Sequence, residues 1–239
     1  MQRTRCSYFY DVASACNRRE PGAGCDALQG ENRLHAVLGW SKQCIATHPS
    51  DVAVPLVALD AVVEIEGKDG RREIVLETLH RLPGETPERE SALEPGDLIV
   101  ALRLSAEAAR FAAHARYLKL RERTSFAFAV VSAAAALELD GDAILSARLA
   151  LGGVAAKPWR ARAAEEALTG ANADEMAFRK AAETALAGAR PSGDNTFKIE
   201  LAKRIVVRTL ALAAAGTPER LPALPASPFS SVSKALHHA

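Results

Sequence analysis

FAFAVVSAAAALELDGDAILSARLALGG, residues 126–153, is the stretch that decides the fold. Its first half, residues 126–139, is apolar on both faces, which suits either a buried strand or a helix. The turn Asp140-Gly141-Asp142, followed by apolar residues 144–151, favours two strands joined as a hairpin. Gly152-Gly153 lacks the G-x-G-x-x-G order of a nucleotide-binding loop. It therefore indicates a turn or a close approach between two backbones.

Strand patterns precede this hairpin, and helix patterns follow it. Strands are predicted at residues 62–65 and 72–75 around a Gly- and Asp-rich turn, and at residues 98–104 and 116–122. Helices are predicted within residues 51–63, with Asp51 as a cap, in a short pattern at residues 32–38, and at residues 161–168, 174–187 and 195–214. A group of strands followed by a group of helices predicts an α+β fold. We expect two parts, residues 1–105 and residues 108–216.

The composition argues against several classes of protein. The 239 residues carry a formal net charge of +1 and only 5% aromatic residues, which does not suit a nucleic-acid-binding surface. No apolar run approaches the roughly 18 residues that a membrane helix needs. No apolar signal-peptide segment follows Met1. Residues 217–239 are rich in proline and serine and have little periodicity, which predicts a disordered tail.

Four cysteines lie within the first 44 residues, and none follows. Cys6, Cys16, Cys25 and Cys44 have the spacing C-x9-C-x8-C-x18-C. The segment between them is rich in turn-forming residues and too polar to bury much apolar surface, so a bound metal is expected to order it. Disulfides would need an oxidising compartment, and free structural thiols usually lie in apolar stripes.

Two kinds of metal site remain open on spacing alone. Zinc sites usually contain at least one close pair such as C-x2-C, and this sequence has none. Wide spacing allows four ligands from separate loops to enclose a larger object. The spacing therefore favours an iron–sulfur cluster over zinc.

Five further motifs carry a resemblance to a known family. They are CIATHPSD at residues 44–51, ALDA at 58–61, PGDLI at 95–99, YLKLRER at 117–123 and LGGVA at 151–155. In this order they resemble the FAD-binding subunits of the molybdenum hydroxylase (xanthine dehydrogenase) family. The stretch from residue 2 to residue 51 resembles a subgroup, the middle subunits of bacterial aldehyde oxidoreductases, which carry a [4Fe–4S] cluster beside the flavin.

The resemblance implies a fold and a set of site residues. Residues 1–105 would be the second lobe of a PCMH-type FAD-binding domain with an iron–sulfur loop at residues 1–44. Residues 108–216 would resemble the C-terminal domain of CO dehydrogenase flavoproteins, an antiparallel sheet with helices. The implied cluster ligands are the four cysteines, and the implied FAD contacts are Thr47, Asp60, Ile99 and Lys119. His48, beside proline in a turn, is interpreted as a surface or capping residue without a catalytic role.

The implied function is electron transfer. Substrate, an aldehyde or an N-heterocycle, would be oxidised on a large molybdenum-cofactor subunit, and electrons would pass through a small [2Fe–2S] subunit to FAD, in a heterotrimer. No residue of this chain is expected to act as a substrate acid or base. The complex would be cytoplasmic, or periplasmic by co-export with a partner. The alternative is a zinc-stabilised interaction module without redox activity.

One departure from the family pattern concerns the start of the chain. The family's first lobe carries a glycine-rich loop that holds the FAD pyrophosphate, and this sequence has no counterpart. We therefore expect a lobe to be missing upstream of Met1, and this chain alone to bind FAD weakly or not at all.

Overall fold

The computed structural model describes residues 6–219, which form two antiparallel sheets and several helices. The tail predicted at residues 217–239 lies almost wholly outside the described residues. The helices, in chain order, are α1 (Ser7–Tyr10), α2 (Ala53–Ala58), α3 (Leu76–Leu79), α4 (Arg162–Leu168), α5 (Glu175–Ala185) and α6 (Phe197–Ala214), with 3-10 segments at Asp26–Leu28 and Ala106–His114. The strands are β1 (Val62–Gly67), β2 (Gly70–Val75), β3 (Leu98–Arg103), β4 (Ala115–Leu120), β5 (Val131–Asp140), β6 (Ala143–Gly152) and β7 (Trp159–Arg160).

The hairpin predicted at residues 126–153 is confirmed and forms the centre of a four-stranded sheet. The order of this sheet is β4-β5-β6-β7, and β5 meets β6 at the tight turn where Asp140 pairs with Ala143. Gly141 occupies this turn with φ +56°, a conformation that glycine adopts without a steric penalty. The predicted α+β class is confirmed as well, because antiparallel sheets and helices make up the described chain.

Both faces of the central hairpin are buried, which explains why its sequence is apolar on both faces. Ala133, Ala135 and Leu137 of β5 pack in the core that includes residues of α4, α5 and α6. Ala134, which points the other way, packs in a second core with residues of α2. Side chains alternate between the faces of a strand. Small alanines therefore allow helices to approach the sheet from both sides.

The three C-terminal helices form the layer over one face of this sheet. The Asp174 side chain caps α5 by accepting a hydrogen bond from the backbone N–H of Ala177 at 2.9 Å, which satisfies one of the free donors of the first turn. The amphipathic pattern predicted for residues 195–214 corresponds to α6, which buries Ile205, Val206 and Leu210. No helix in the described part of the chain is long and apolar enough to cross a membrane.

The smaller sheet has the order β2-β1-β3 and confirms the predicted N-terminal strands. Strands β1 and β2 form a hairpin in which Val62 pairs with Val75 and Gly67 with Gly70. Val63 and Ile65 of β1 are buried in the second core, and β3 is largely exposed along its length.

The helix predicted at residues 32–38 is wrong, because this segment forms turns. The backbone N–H of Ala36 donates to the carbonyl of Ile45, and those of Val37 and Leu38 donate to the carbonyl of Val154, at 2.8–3.0 Å. These long-range bonds replace the local bonds that a helix would make, so three consecutive apolar residues enter the core together.

Candidate functional site

The principal cavity of the described chain, here called the large cavity, has a volume of about 750 Å³. This volume lies in the range of roughly 300–1,000 Å³ that is typical of ligand sites. Residues from three regions surround it: the segment before Leu38, residues 47–51 that lead into α2, and residues 122–132 with Gly152 and Gly153. The segment before Leu38 and residues 122–132 are far apart in sequence. Gly152 and Gly153 lie at the end of β6.

Gly153 allows the wall of the large cavity to form. Its φ is +74°, and a Cβ atom there would lie 2.8 Å from the carbonyl oxygen of Val130. A side chain at this position would therefore meet backbone that cannot move aside easily. The close backbone approach predicted for Gly152-Gly153 is confirmed.

Thr47, predicted to contact FAD, lies on the wall of the large cavity. His48, which follows it, is also on this wall but is only 4% exposed, so its interpretation as a surface residue is wrong. Its backbone N–H donates to the carbonyl of Ala155 at 2.8 Å, and its ring packs 4.3 Å from the ring of His80. This backbone bond draws residues 47–51 against the end of the four-stranded sheet.

Lys119, the second predicted FAD contact, reaches the large cavity through Asp51. Its Nζ donates to one carboxylate oxygen of Asp51 at 2.6 Å, and the Tyr117 hydroxyl donates to the other at 2.8 Å. Burial, together with the neighbouring Asp51 carboxylate, raises the pKa of Tyr117. Asp51 itself lines the cavity. It does not cap α2 as predicted; the Ser50 hydroxyl instead accepts from the backbone N–H of Ala53 at 3.2 Å.

Asp60 and Ile99, the other two predicted FAD contacts, are not among the residues that line the large cavity. The Asp60 carboxylate pairs with Arg160 at 3.0 Å and with Arg148 at 3.2 Å, and Asp60 has a φ of +53°. Ile99 lies on β3, where it pairs with Ile65 and is 39% exposed. The structure thus places Thr47 on the wall of the large cavity, Lys119 behind it in contact with Asp51, and Asp60 and Ile99 elsewhere.

All four cysteines line a second, smaller cavity, here called the thiol cavity. Cys16 and Cys25 face each other across an antiparallel bridge, and Cys44 follows a turn closed with Ser41. Cys6 precedes α1. Each of the four is a free thiol. Cysteines up to 38 positions apart in the sequence therefore line one cavity, as the ligands of a common group would.

Hydrogen bonds from side chains help to set the shape of the cysteine segment, which comprises residues 6–44. One guanidinium nitrogen of Arg19 donates to the backbone carbonyls of Tyr8, Phe9 and Asp11 at 2.9–3.0 Å. The side chain of Asn17 accepts from the backbone N–H of Gly24 at 2.8 Å. The expectation that a bound metal orders this segment stays a prediction, and these bonds add to its order from within the chain.

Backbone N–H groups point towards the cysteine sulfurs. Burial raises the pKa of the Cys6 thiol to about 11, and the N–H groups of Tyr8 and Phe9 oppose that rise. Burial likewise raises the pKa of Cys25, and the N–H of Ala46 donates to Cys44 Sγ at 3.5 Å. Donors around a buried sulfur stabilise a thiolate, which is the form that binds metals.

Four sulfur donors around one cavity fit both a Cys₄ zinc site and a [4Fe–4S] cluster in their chemistry. Within residues 6–219, however, no group of three or more His, Cys, Asp or Glu side chains is arranged to hold a metal ion. The donor set is therefore suitable, but the four sulfurs are not gathered around a single ion.

Several residues of the large cavity were not predicted from the sequence. Arg33 forms an ion pair with Glu122 at 2.6 Å, between the cysteine segment and the end of β4. Phe126, which is 95% exposed and has a φ of +49°, lies with Phe128 at the mouth. Glu122 and Phe126 lie in or beside stretches that were predicted as strands. A charged and an aromatic side chain in such stretches do not indicate that they line one cavity.

Two protein families match consecutive parts of the chain. Residues 37–105 match the FAD-binding domain in molybdopterin dehydrogenase. Residues 116–213 match the CO dehydrogenase flavoprotein C-terminal domain. The chain therefore combines a FAD-binding domain with the C-terminal domain of a flavoprotein, and the large cavity lies between residues of both.

Individual relatives lead to the same class of protein. The aldehyde oxidoreductase FAD-binding subunit PaoB of Escherichia coli (strain K12) is 50% identical over 216 residues, which are 90% of this chain and 64% of that protein. The chain belongs to the FAD-binding subunits of the molybdenum hydroxylase family.

Solved structures agree with this assignment. Quinoline 2-oxidoreductase from Pseudomonas putida 86 has a TM-score of 0.57 at 26% identity, covering 78% of this chain and 60% of that chain. CO dehydrogenase from Hydrogenophaga pseudoflava has a TM-score of 0.59 at 29% identity, covering 69% and 59%. The chain thus spans a little under two thirds of the length of the relatives it matches.

Proposed function

We propose that the chain is the FAD- and [4Fe–4S]-binding electron-transfer subunit of a molybdenum-dependent oxidoreductase that acts on aldehydes or on xanthine-like N-heterocycles. The observation that carries this proposal is the meeting of two cavities. Four thiols line the smaller one, and Cys6 belongs to the walls of both. The 50% identity to an aldehyde oxidoreductase FAD-binding subunit supports an aldehyde as the substrate class.

The four cysteines are the proposed cluster ligands. Around a single zinc ion, every sulfur lies about 2.3 Å from one point. In a [4Fe–4S] cluster each thiolate binds its own iron, so the sulfurs lie farther apart. The backbone N–H groups near Cys6, Cys25 and Cys44 are suited to stabilise three of the four thiolates.

The large cavity is the proposed site of the flavin. FAD, when bound, supplies the group that accepts and releases electrons, while the protein binds and orients it. Thr47 offers a hydroxyl and a backbone amide from the wall. Lys119, held by Asp51 at 2.6 Å, sets positive charge at the edge. Asp60 and Ile99 stay predictions as FAD contacts, because both lie outside the residues that line this cavity.

The proposed assembly is a heterotrimer with a large molybdenum-cofactor subunit and a small [2Fe–2S] subunit. Substrate oxidation takes place on the large subunit in this proposal. No residue of this chain is therefore assigned a role as a substrate acid or base. The proposed domain limits are residues 1–105 and 108–216.

Metal and flavin analysis of the protein purified without oxygen tests the proposal. We expect about four irons, about four acid-labile sulfides and one FAD for each chain. Cys16→Ser should lose iron and keep its flavin, because Cys16 lines only the thiol cavity. Ser14→Ala is the matched control, since the Ser14 hydroxyl contacts Asp11 at the surface of the same segment.

Two results would contradict the proposal. Stoichiometric zinc without flavin would support a structural metal module instead. If Cys16→Ser keeps its full iron content, Cys16 is not a ligand, and the proposed cluster has only three cysteine ligands.

A further inference from the structure

Cys6 differs from the other three cysteines in its surroundings. Of the four, all within the described residues, it alone lines the large cavity as well as the thiol cavity. A group bound by the four thiols therefore faces the large cavity through the Cys6 sulfur. A group that changes the electron density on the Cys6 sulfur therefore acts at the boundary between the two proposed cofactors.

The His35 imidazole lies at this boundary. Its Nε2 is 3.1 Å from Cys6 Sγ, and the residue also lines the large cavity. The distance is that of a hydrogen bond to sulfur. Because a thiolate can only accept, Nε2 carries the proton in the ligand-bound form of the site.

The backbone of His35 is held on both sides, so its ring has a defined position. Its N–H donates to the carbonyl of Asn32 at 2.9 Å. Its carbonyl accepts from Lys198 Nζ at 2.8 Å and from Asn195 Nδ2 at 3.1 Å. Both donors come from α6 or the residues just before it. The C-terminal layer of helices thereby fixes a side chain at the thiol cavity.

The imidazole has one other buried nitrogen, Nδ1, and this atom has no hydrogen-bond partner within residues 6–219. With Nδ1 unpartnered, the contact of Nε2 with Cys6 Sγ is the one hydrogen bond of the ring within the described residues.

We propose that His35 is a positioning residue that raises the reduction potential of the cluster by donating a hydrogen bond to the Cys6 thiolate. The inference rests on the proposed function. Reduction adds negative charge to the cluster and its sulfurs, and a hydrogen-bond donor stabilises the more negative state. The backbone donors at Tyr8 and Phe9 act on the same sulfur, and His35 is the side-chain donor that mutation can remove.

The test is a redox titration of the full chain, purified without oxygen and followed by the electron paramagnetic resonance signal of the reduced cluster. His35→Leu removes the donor at similar size. We expect the ratio of reduced to oxidised cluster at a fixed potential to fall by about three- to tenfold. Tenfold corresponds to about 59 mV in a one-electron couple.

Two further variants distinguish loss of the hydrogen bond to Cys6 from a general disturbance of the site. His35→Gln keeps an N–H donor and should restore most of the potential. His114→Leu is the matched control, because the His114 Nδ1 lies 3.1 Å from the carbonyl of Ala213, outside both cavities. It should leave the cluster potential unchanged.

Iron content distinguishes the two ways in which the test can fail. If the unaltered chain contains no iron–sulfur cluster, the proposed function itself is overturned. If His35→Leu keeps about four irons and the same reduction potential, the role of His35 is overturned and the proposed function stands. A loss of potential in His35→Gln equal to that in His35→Leu would also overturn it, since donation would then not be the cause.

Discussion

Lys198 shows how a single residue ties the site together. It is fully buried, and its Nζ donates to the carbonyls of Leu34, His35 and Gly153 at 2.7–2.8 Å. Three acceptors match the three N–H donors of an ammonium group and offset the cost of its burial. This role could not be predicted from the sequence, because a lysine in an amphipathic helix is ordinarily exposed and its acceptors here lie at least 45 residues away.

We expect Lys198→Met to lower the free energy of unfolding by about 3 kcal/mol or more, because it leaves three buried carbonyls without donors. Burial lowers the pKa of Lys198 to about 7 from 10.5, although the three carbonyls favour the charged form. The unfolded chain therefore binds more protons between these two values. The stability of the unaltered chain relative to Lys198→Met should accordingly rise as the pH increases from about 7 to 10.

Denaturant unfolding at several pH values measures both effects. Lys203→Met is the control, because Lys203 lies on the same helix with a partly exposed side chain that pairs with Glu200 at 3.2 Å. It should cost less than about 0.5 kcal/mol. Equal losses in the two variants would contradict a special role for Lys198.

At the scale of elements, the central hairpin was predictable and its surroundings were not. The turn at residues 140–142 resolved the choice between helix and strand for residues 126–139. Which helices cover each face depends on contacts between distant segments, which a periodicity does not encode. The error at residues 32–38 has the same origin, since the backbone there bonds to Ile45 and Val154 across the fold.

Two leucines of β6 allow a buried and an exposed position of one strand to be compared with the same substitution. Leu149 is fully buried, whereas Leu145 is 52% exposed. Leu149→Ala should lower the free energy of unfolding by about 2–5 kcal/mol, because it removes apolar contacts and leaves a cavity in the core. Leu145→Ala should cost less than about 1 kcal/mol. Thermal or denaturant unfolding measures both, and similar values would contradict the proposed packing of the sheet.

At the scale of the whole molecule, the cysteine segment is joined to the C-terminal half at several points. Arg190 donates its backbone N–H to the carbonyl of Val37 at 2.8 Å, and the Trp40 indole N–H donates to the carbonyl of Arg190 at 3.0 Å. The sequence identified all four cysteines and the family. It did not reveal that Lys119 contacts Asp51 on the wall that also carries Thr47, while Asp60 pairs with Arg160, because these contacts join residues about 70–100 positions apart.

In the proposed cluster-bound chain, we expect removal of iron to loosen only one end of the molecule. Hydrogen exchange, measured with and without a chelator, should become faster in residues 6–31. It should stay unchanged at residues 36–38, whose N–H groups bond to Ile45 and Val154, and in β5 and β6. Faster exchange throughout the four-stranded sheet would instead indicate that the whole fold depends on the metal.

The hydrogen bonds of Arg19 have a consequence for how the protein matures in the cell. A zinc finger folds only when its ion arrives. In this chain, one guanidinium already gathers the carbonyls of Tyr8, Phe9 and Asp11 and gives the loop its path. For the proposed cluster site, we expect these bonds to fix the path of the loop from within the polypeptide, so that delivery of iron and sulfide would act on a loop that is already shaped.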